Sequence, residues 1–311
     1  MTRVIRFSSF WENSERTEIN FFLPLFQQVF QEEVRRTTSK HEYADLEITS
    51  VFQSPNRLMR KVERKFRSLN SGISVRDGSN TKSSLNVWFT GESIRPPSHK
   101  PFDAYLSYDS DDFLPHNLYL PLWVLNLSWF GKKPGHGFTG VEQSVNDLMQ
   151  PRVISSETLG RKKFCCAFVN NPENLRMSVL RQLESIGQVD IFGQVSGKFI
   201  ADKSLAARDY RFMMCFENKL YPGYVSEKLL EAYQSKTFPL YWGDDSQKYF
   251  NEKSFLNLNN FSKVSDYIHE IGQLNSNLDK LASRMREPLV IKSYDMDALI
   301  TKLRLHLKIG L

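Results

Sequence analysis

The residues best suited to chemistry lie in one stretch of the second half of the chain, between Cys215 and Lys228. This stretch reads Cys-Phe-Glu-Asn-Lys-Leu-Tyr-Pro-Gly-Tyr-Val-Ser-Glu-Lys; it begins as a predicted strand ends and runs into a predicted helix. A helix start presents unpaired backbone N–H groups, and a lysine there adds a full positive charge, so the two together favour an anion. The stretch therefore predicts a pyrophosphate site at Lys228, with Glu227 accepting hydrogen bonds from sugar hydroxyls. The alternative is a surface loop with an ordinary Glu-Lys helix start.

The elements around this stretch alternate between strands and helices. Strands are predicted at 164–170, 188–192, 211–216, 238–242 and 255–258, and helices at 173–186, 203–210, 227–235, 262–272 and 276–285. Alternation of this length favours a parallel, doubly wound sheet. Because such sheets bind ligands at the carboxyl ends of their strands, the pattern places the Cys215–Lys228 stretch where a ligand would bind.

The first half of the chain has a more mixed pattern. Strands are predicted at 4–10, 46–52 and 85–90, and helices at 21–30 and, with a strongly basic face, at 57–68. A glycine-rich loop at 131–140 and the weakly apolar segment 151–160 indicate a boundary near residue 155. With 311 residues, two domains are expected, at 1–155 and 156–311.

Composition excludes several classes of protein. Apolar residues make up 41% and charged residues 24%, which is ordinary globular usage and argues against a disordered or fibrous chain. The net charge of +6 includes no basic tail of the kind that wraps nucleic acid. Three cysteines cannot build a disulfide framework, and we interpret them as core residues in a reducing compartment. No signal-peptide pattern and no apolar run near the roughly 18 residues of a membrane span is present, so a cytoplasmic protein is expected.

Several sequence blocks resemble the α1,3/4-fucosyltransferase family. The main blocks are Cys215–Asn218, Tyr224–Lys228 and Tyr241–Gly243, which follow the family pattern F-E-N-x(5–6)-Y-V-[ST]-E-K-L and the Tyr-Trp-Gly that comes after it. Further blocks with the same likeness are Phe89–Ser93, Phe102–Asp109, Leu118–Trp123 and Phe168–Arg176. The resemblance covers about residues 85–260, with spacing that is nearly free of gaps.

The resemblance implies a bacterial-type, inverting glycosyltransferase of GT-B architecture, with two Rossmann-like domains facing each other across a cleft. The C-terminal domain would bind GDP-fucose, and the N-terminal domain would supply the catalytic base and most acceptor contacts. Fucose would pass to a hydroxyl, in α1,3 or α1,4 linkage, of a GlcNAc-containing glycan. An N-acetyllactosamine-type glycan or a lipopolysaccharide O-antigen is the expected acceptor.

The resemblance also assigns site residues. Glu92, at the end of a predicted buried strand, falls at the position of the base that deprotonates the acceptor hydroxyl. Lys228 and Arg176 match the pair of cations that stabilises the departing GDP. The remaining positions that match donor contacts are Asn218 for phosphate, Tyr224 for the nucleoside and Glu227 for ribose or fucose hydroxyls. For Glu217 two roles stay open, a donor contact or a structural bond to the backbone of its own loop.

Three rival functions are kept in view. A GT-B enzyme that uses another nucleotide sugar shares the same phosphate chemistry, an inactive sugar-nucleotide sensor would not need Glu92, and a nucleic-acid-binding protein is suggested only by the pI of 9.1. We expect no cofactor and no metal site, with divalent metal at most stimulating the reaction; the acidic run Tyr108–Asp112 is interpreted as a solvated turn. Peripheral contact with the inner face of a membrane is an open alternative for the helix at 57–68 and the tail at 299–311.

Overall fold

The computed structural model describes residues 1–10, 18–51, 83–97, 100–131, 143–161, 163–200, 202–244 and 248–310. The described helices are α1 (Glu18–Phe30), α2 (Leu122–Leu125), α3 (Val145–Leu148), α4 (Ser156–Leu159), α5 (Asn174–Leu183), α6 (Lys203–Ala207), α7 (Lys228–Gln234), α8 (Val264–Ser276), α9 (Leu278–Arg286) and α10 (Met296–His306). The chain forms two compact units, Met1–Leu120 with Asp295–Leu311, and Pro121–Tyr294.

The first unit contains a sheet of six parallel strands in the order β2-β1-β3-β4-β5-β6. The strands are β1 (Thr2–Ser8), β2 (Glu33–Thr37), β3 (Ala44–Thr49), β4 (Ser83–Phe89), β5 (Ala104–Ser107) and β6 (Asn117–Tyr119). Helix α1 carries apolar side chains at helical spacing, and its Phe22 packs edge-on against Phe89 of β4, with ring centroids 4.9 Å apart. Both rings are completely buried, so this contact fixes the end of β4 in the core.

The second unit contains five parallel strands in the order β11-β10-β9-β7-β8. The strands are β7 (Lys163–Phe168), β8 (Val189–Phe192), β9 (Tyr210–Phe216), β10 (Phe238–Trp242) and β11 (Leu256–Asn257). In sequence order this is the flavodoxin-like arrangement 2-1-3-4-5, in which the winding reverses between the first and third strands, here β7 and β9. Every strand predicted in this half is confirmed. The predicted fold of two α/β units, each with a parallel sheet, is confirmed as well.

The three cysteines lie in the core of the second sheet. Cys165, Cys166 and Cys215 are completely buried and form no disulfide. Burial raises the pKa of all three thiols, because a thiolate would have to leave water. They therefore pack as small apolar side chains, as the sequence indicates.

The division between the units differs from the predicted boundary at 155. Residues 121–155 belong with the second sheet, and Arg152 shows why. Its buried guanidinium donates to the carbonyls of Tyr233, Thr237 and Met285, and it stacks over the Tyr233 ring at 4.1 Å. Burial lowers the pKa of Arg152 to about 10. A single side chain thus ties the segment before residue 155 to three points of the second unit.

The C-terminal helix α10 belongs to the first unit. It buries Met296, Leu299 and Leu303 and forms an ion pair between Lys302 and Asp111, with the two charged atoms 2.6 Å apart. The apolar face of the tail is therefore covered by protein. The basic helix predicted at 57–68 lies outside the described residues. Among the helices that the structure describes, none has the length and apolar character needed to cross a membrane.

Candidate functional site

The Cys215–Lys228 stretch lies where the winding of the second sheet reverses. Strand β9 ends at Phe216, and the loop that follows leads into α7 at Lys228. The neighbouring strand β7 ends at Phe168, and its loop leads into α5. Ligands of open parallel sheets bind in the crevice that forms between two such loops. The topology alone therefore selects this position as the candidate site.

Glu217 is the centre of the loop after β9. Its carboxylate is completely buried and accepts hydrogen bonds from the backbone N–H of Ser226 at 2.8 Å, from the Ser226 hydroxyl and from the Lys228 ammonium. A buried carboxylate is tolerated only with such partners, because burying an unpaired charge costs several kcal/mol. Of the two roles left open for Glu217, the structure shows the structural one: it joins the start of the loop to its end.

Lys228 is held by two of its three donors. The ammonium nitrogen lies 2.8 Å from Glu217 Oε2 and 3.0 Å from Ser226 Oγ, and 20% of the side chain is exposed. Burial favours the neutral amine, but the attraction of Glu217 and Glu227 outweighs it and raises the pKa of Lys228. Lys228 is therefore charged at neutral pH, and its third N–H has no partner among the described residues, which leaves it available to a ligand.

Arg176 connects the two loops at the reversal point. It lies in the first turn of α5, is buried, and donates to the carbonyls of Asn171 at 2.6 Å, Phe216 at 3.2 Å and Glu217 at 2.9 Å. Burial lowers the pKa of its guanidinium. The side chain thus braces the end of β9 against the loop after β7. Three of the five N–H donors of Arg176 bond backbone carbonyls, which places its positive charge beside the loop that leads to Lys228. Phosphate binding by Arg176 stays a prediction.

The other predicted donor residues occupy the same loop. Tyr224 is buried, with its backbone N–H bonded to the Tyr221 carbonyl, whereas Asn218 and Glu227 are half-buried. Within the described part of the chain, the Asn218 and Glu227 side chains make no hydrogen bond or ion pair. Two polar side chains that make no hydrogen bond to the described residues, beside a charged lysine, are suited to bind a polar ligand.

Two residues of the site were missed in the sequence. Ser226 contacts both Glu217 and Lys228, although nothing in its residue type predicts that its hydroxyl points at a buried carboxylate. Glu231, one turn into α7, is 4% exposed, and within the described ranges its Oε1 has no hydrogen-bond partner. Burial raises the pKa of Glu231 to about 8, so it is mostly protonated at neutral pH. The sequence signal for Glu231 was its place on a short apolar helix, four residues after Glu227.

Gly243 explains the last block of the resemblance. A Cβ at this position would lie 2.7 Å from Glu217 Cγ and would also overlap the buried Tyr241 hydroxyl. The Gly243 carbonyl accepts from the side-chain amides of Asn257 and Asn259. Only glycine therefore fits where β10 passes the Glu217 carboxylate.

Glu92, the predicted base, lies in the first unit. It follows β4 in a turn that begins at Thr90, whose backbone carbonyl accepts from the Tyr108 hydroxyl at 2.7 Å. The Glu92 N–H donates to Thr90 Oγ1 at 3.3 Å, and its carbonyl accepts from the N–H of Ile94 at 2.6 Å. The turn is fixed by its own hydrogen bonds, and the Glu92 side chain is half-buried. A positioned carboxylate at the carboxyl end of a parallel strand can act as a general base.

The acidic run after β5 is occupied by protein partners. Asp109 pairs with Arg95 at 3.6 Å, Asp111 pairs with Lys302 and accepts the N–H of Tyr119, and Asp112 accepts the Ser110 hydroxyl. Over the described ranges, no group of three or more His, Cys, Asp or Glu side chains is placed to hold a metal ion.

Known proteins resemble this chain over a region that contains the candidate site. The family model of the glycosyltransferase family 10 (fucosyltransferase) C-terminal region matches residues 158–285. An α-(1,3)-fucosyltransferase of Helicobacter pylori is 31% identical over 238 residues, covering 67% of this chain and 48% of its own length. A mouse 4-galactosyl-N-acetylglucosaminide 3-α-L-fucosyltransferase 9 is 27% identical over 129 residues, 38% of this chain and 36% of the relative. The chain thus spans about half the length of the bacterial relative.

Solved structures match the whole chain. A crystal structure of an α1,3-fucosyltransferase covers 100% of this chain and 91% of the solved one with a TM-score of 0.69, at 20% identity. A structure described as the α1,3-fucosyltransferase with GDP-fucose gives a TM-score of 0.68 at 22% identity, covering 100% of this chain and 92% of that one. These likenesses establish the fold, which is that of the GT-B fucosyltransferases.

Fold and geometry together define a doubly wound α/β protein with two cationic side chains, Lys228 and Arg176, at the switch point of its second sheet. The matched region, which contains Arg176, Glu217 and Lys228, belongs to glycosyltransferase family 10, the fucosyltransferases. The resemblance inferred from the sequence is confirmed.

Proposed function

We propose that the chain transfers L-fucose from GDP-fucose to a hydroxyl of a GlcNAc-containing glycan, forming an α1,3 or α1,4 linkage. The observation that carries the proposal is the Lys228 ammonium, which Glu217 and Ser226 hold at the switch point and whose third N–H meets none of the described residues. A fixed cation of this kind is what a nucleotide diphosphate requires. The α-(1,3)-fucosyltransferase relative supports this choice of donor, as does the solved fucosyltransferase with GDP-fucose that shares the fold.

The donor would lie against the loop from Glu217 to Lys228. Lys228 binds the phosphates as a point charge. Arg176 adds a second positive charge at the same loop, which it holds through its bond to the Glu217 carbonyl. Asn218 contacts a phosphate, Tyr224 contacts the nucleoside, and Glu227 accepts hydrogen bonds from ribose or fucose hydroxyls. These assignments follow the family pattern and are supported by the Asn218 and Glu227 side chains, which make no hydrogen bond to the residues that the structure describes.

The chemical step is a single displacement with inversion. Glu92 takes the proton from the acceptor hydroxyl as the oxygen attacks the anomeric carbon. The bond from that carbon to the GDP oxygen breaks, and the negative charge that develops on GDP is stabilised by Lys228. The transition state resembles an oxocarbenium ion, as in other glycosyl transfers. No metal is assigned a role, because the cation at Lys228 supplies the stabilisation that a metal would otherwise give.

The acceptor proposed is an N-acetyllactosamine-type glycan or a lipopolysaccharide O-antigen, made in the cytoplasm or at the inner face of a membrane. Acceptor-dependent release of GDP from GDP-fucose, measured without added metal, tests donor and reaction together. N-acetyllactosamine is the acceptor used, and the mass and linkage of the product identify the transferred sugar. Release that fails with GDP-fucose but proceeds with a UDP-sugar would favour the rival donor class.

The role of Glu92 is tested separately. Glu92→Gln keeps the size of the side chain but removes the base, so kcat should fall by about 100-fold or more while GDP affinity stays unchanged. Glu33→Gln, on the exposed edge strand β2 of the same unit, is the matched control and should keep kcat. Equal loss of catalysis and GDP binding in Glu92→Gln would show that Glu92 is structural and not the base.

A further inference from the structure

A cavity lies at the end of the second sheet opposite to Lys228. It has a volume of about 610 Å³ and is lined by residues at the amino ends of β7 and β9 and after the last turn of α7. Strand β9 runs from Tyr210, at this end, to Phe216, beside Glu217, so the two sites lie roughly 20 Å apart at about 3.3 Å per residue. The volume is that of a small-molecule pocket.

The charged residues that line the cavity are Glu157, Arg161, Lys163, Arg208, Asp209 and Lys236. Two of the four cations, Arg161 and Lys163, already have protein partners. Arg161 donates to the carbonyls of Tyr210, Ser235 and Lys236, and the Lys163 ammonium pairs with Asp209 at 3.1 Å. The rest of the lining consists of hydroxyl and amide side chains, which suit a polar ligand.

Arg208 and Lys236 are the other two cations of the lining, and Arg208 also interacts electrostatically with Asp202. Among the described residues, neither side chain makes a hydrogen bond or an ion pair, and both are exposed to the cavity. Glu157 is the one lining carboxylate that Lys163 does not neutralise, so positive charge is in excess. A concave surface with an excess of one sign concentrates field and attracts ligands of the opposite sign.

The backbone at Lys236 adds an independent observation. Helix α7 ends with the Lys236 N–H bonded to the Tyr233 carbonyl and the Thr237 N–H bonded to the Ala232 carbonyl, which is a Schellman motif. Lys236 occupies the position of that motif where glycine is favoured, with φ of +53°. The lysine at this position adds an ammonium to the cavity lining, while Arg161 holds the Lys236 carbonyl.

We propose that this cavity is a second anion site, which binds the phosphate or diphosphate group of a small polar molecule or of a lipid headgroup through Arg208 and Lys236. A guanidinium and an ammonium that line one polar cavity suit the oxygens of such a group. Arg161 bonds the backbone carbonyls of Lys236 and Tyr210, so it fixes the backbone at Lys236 and two residues after Arg208. The site is separate from Lys228, so the inference stands or falls independently of the proposed donor binding.

The probe for the test is inorganic pyrophosphate, titrated by calorimetry at low salt into the full chain. Lys236→Gly removes the cation and relieves the left-handed backbone, so it should bind about tenfold more weakly, a change of 1.4 kcal/mol, without a lower melting temperature. Arg208→Gln should weaken binding to a similar degree. If pyrophosphate binds at Lys228 instead, Lys228→Ala should abolish binding while the two cavity variants keep it. That result would overturn the proposal.

Lys308→Gly is the matched control. Lys308 ends α10 in the same motif, with φ of +54°, and does not line the cavity. It removes the same charge from the same backbone geometry and should leave pyrophosphate binding unchanged. Equal weakening in Lys308→Gly and Lys236→Gly would show a general charge effect and overturn the proposal, as would the absence of binding by the unaltered chain at millimolar pyrophosphate.

A vesicle arm separates the two sources of phosphate. If the chain binds phosphatidylglycerol vesicles and Lys236→Gly abolishes this binding, the site is assigned to a lipid headgroup. Pyrophosphate binding that depends on Lys236, without recruitment to these vesicles, would assign it to a free phosphorylated molecule. Phosphatidylcholine vesicles, which carry no net charge, are the control surface in both cases.

Discussion

Glu217→Gln tests the ion pair at the centre of the site. The amide keeps the shape of the side chain, but one oxygen becomes an NH₂ group that faces the Lys228 ammonium and the Ser226 hydroxyl. Removing one partner of a buried ion pair costs 3–5 kcal/mol. The lower end applies, because Lys228 keeps 20% of its side chain exposed and water can solvate it in part. We expect a loss of about 3 kcal/mol, or about 6–12 °C in melting temperature for a unit of this size.

A double-mutant cycle separates the pair from other effects. Lys228→Met removes the other charge, and in Glu217→Gln/Lys228→Met neither charge is left unpaired, so the combined loss should fall short of the sum of the single losses by about 1.5 kcal/mol or more. Urea denaturation followed by circular dichroism gives the three free energies of unfolding. Glu184→Gln, an exposed glutamate on the same unit, is the control and should change stability by less than about 0.5 kcal/mol. Additive losses, or a Glu217→Gln as stable as the control, would refute the ion-pair reasoning.

Two further predictions concern the neighbouring core and the C-terminal helix. Gly243→Ala should lower the melting temperature and weaken GDP binding together, because its Cβ displaces Glu217; a calorimetric scan with and without GDP checks both, and unchanged GDP affinity would contradict the close approach. Burial and the neighbouring His116 lower the pKa of His306, so the unfolded chain binds the proton more readily. Stability from this contact is therefore present above about pH 6.5 and lost as pH falls below it. The expected result is that amide protection factors in α10, which are corrected for the intrinsic exchange rate at each pH, are lower at pH 5 than at pH 7, and that His306→Gln abolishes this difference.

The strands of the second sheet could be predicted because they are buried on both faces. β7, β9 and β10 form nearly continuous apolar runs, which a sequence shows directly. β2 was missed because it is a charged edge strand, Glu-Val-Arg-Arg-Thr, and β5 and β6 because they have four and three residues. Short strands and edge strands form because of the strands with which they pair, and the local sequence pattern carries no information about those partners.

The site divides in the same way. Sequence placed Lys228, Asn218, Tyr224 and Glu227 in one loop, and the structure describes them there. The contacts of that loop could not be predicted, because they depend on tertiary packing. The three carbonyl partners of Arg176 come from two different loops, and its predicted phosphate role stays a prediction.

The most direct test of the central claim is the affinity of the purified chain for GDP, compared between the unaltered protein and Lys228→Ala. Lys263→Ala, an exposed lysine of the same unit, removes the same charge and serves as the control. If Lys228 binds the donor phosphates, Lys228→Ala should weaken GDP at least about tenfold while Lys263→Ala does not, since a charge-assisted hydrogen bond contributes about 1.5–3 kcal/mol. Equal GDP affinity in all three proteins would contradict the assignment of this loop as the donor site.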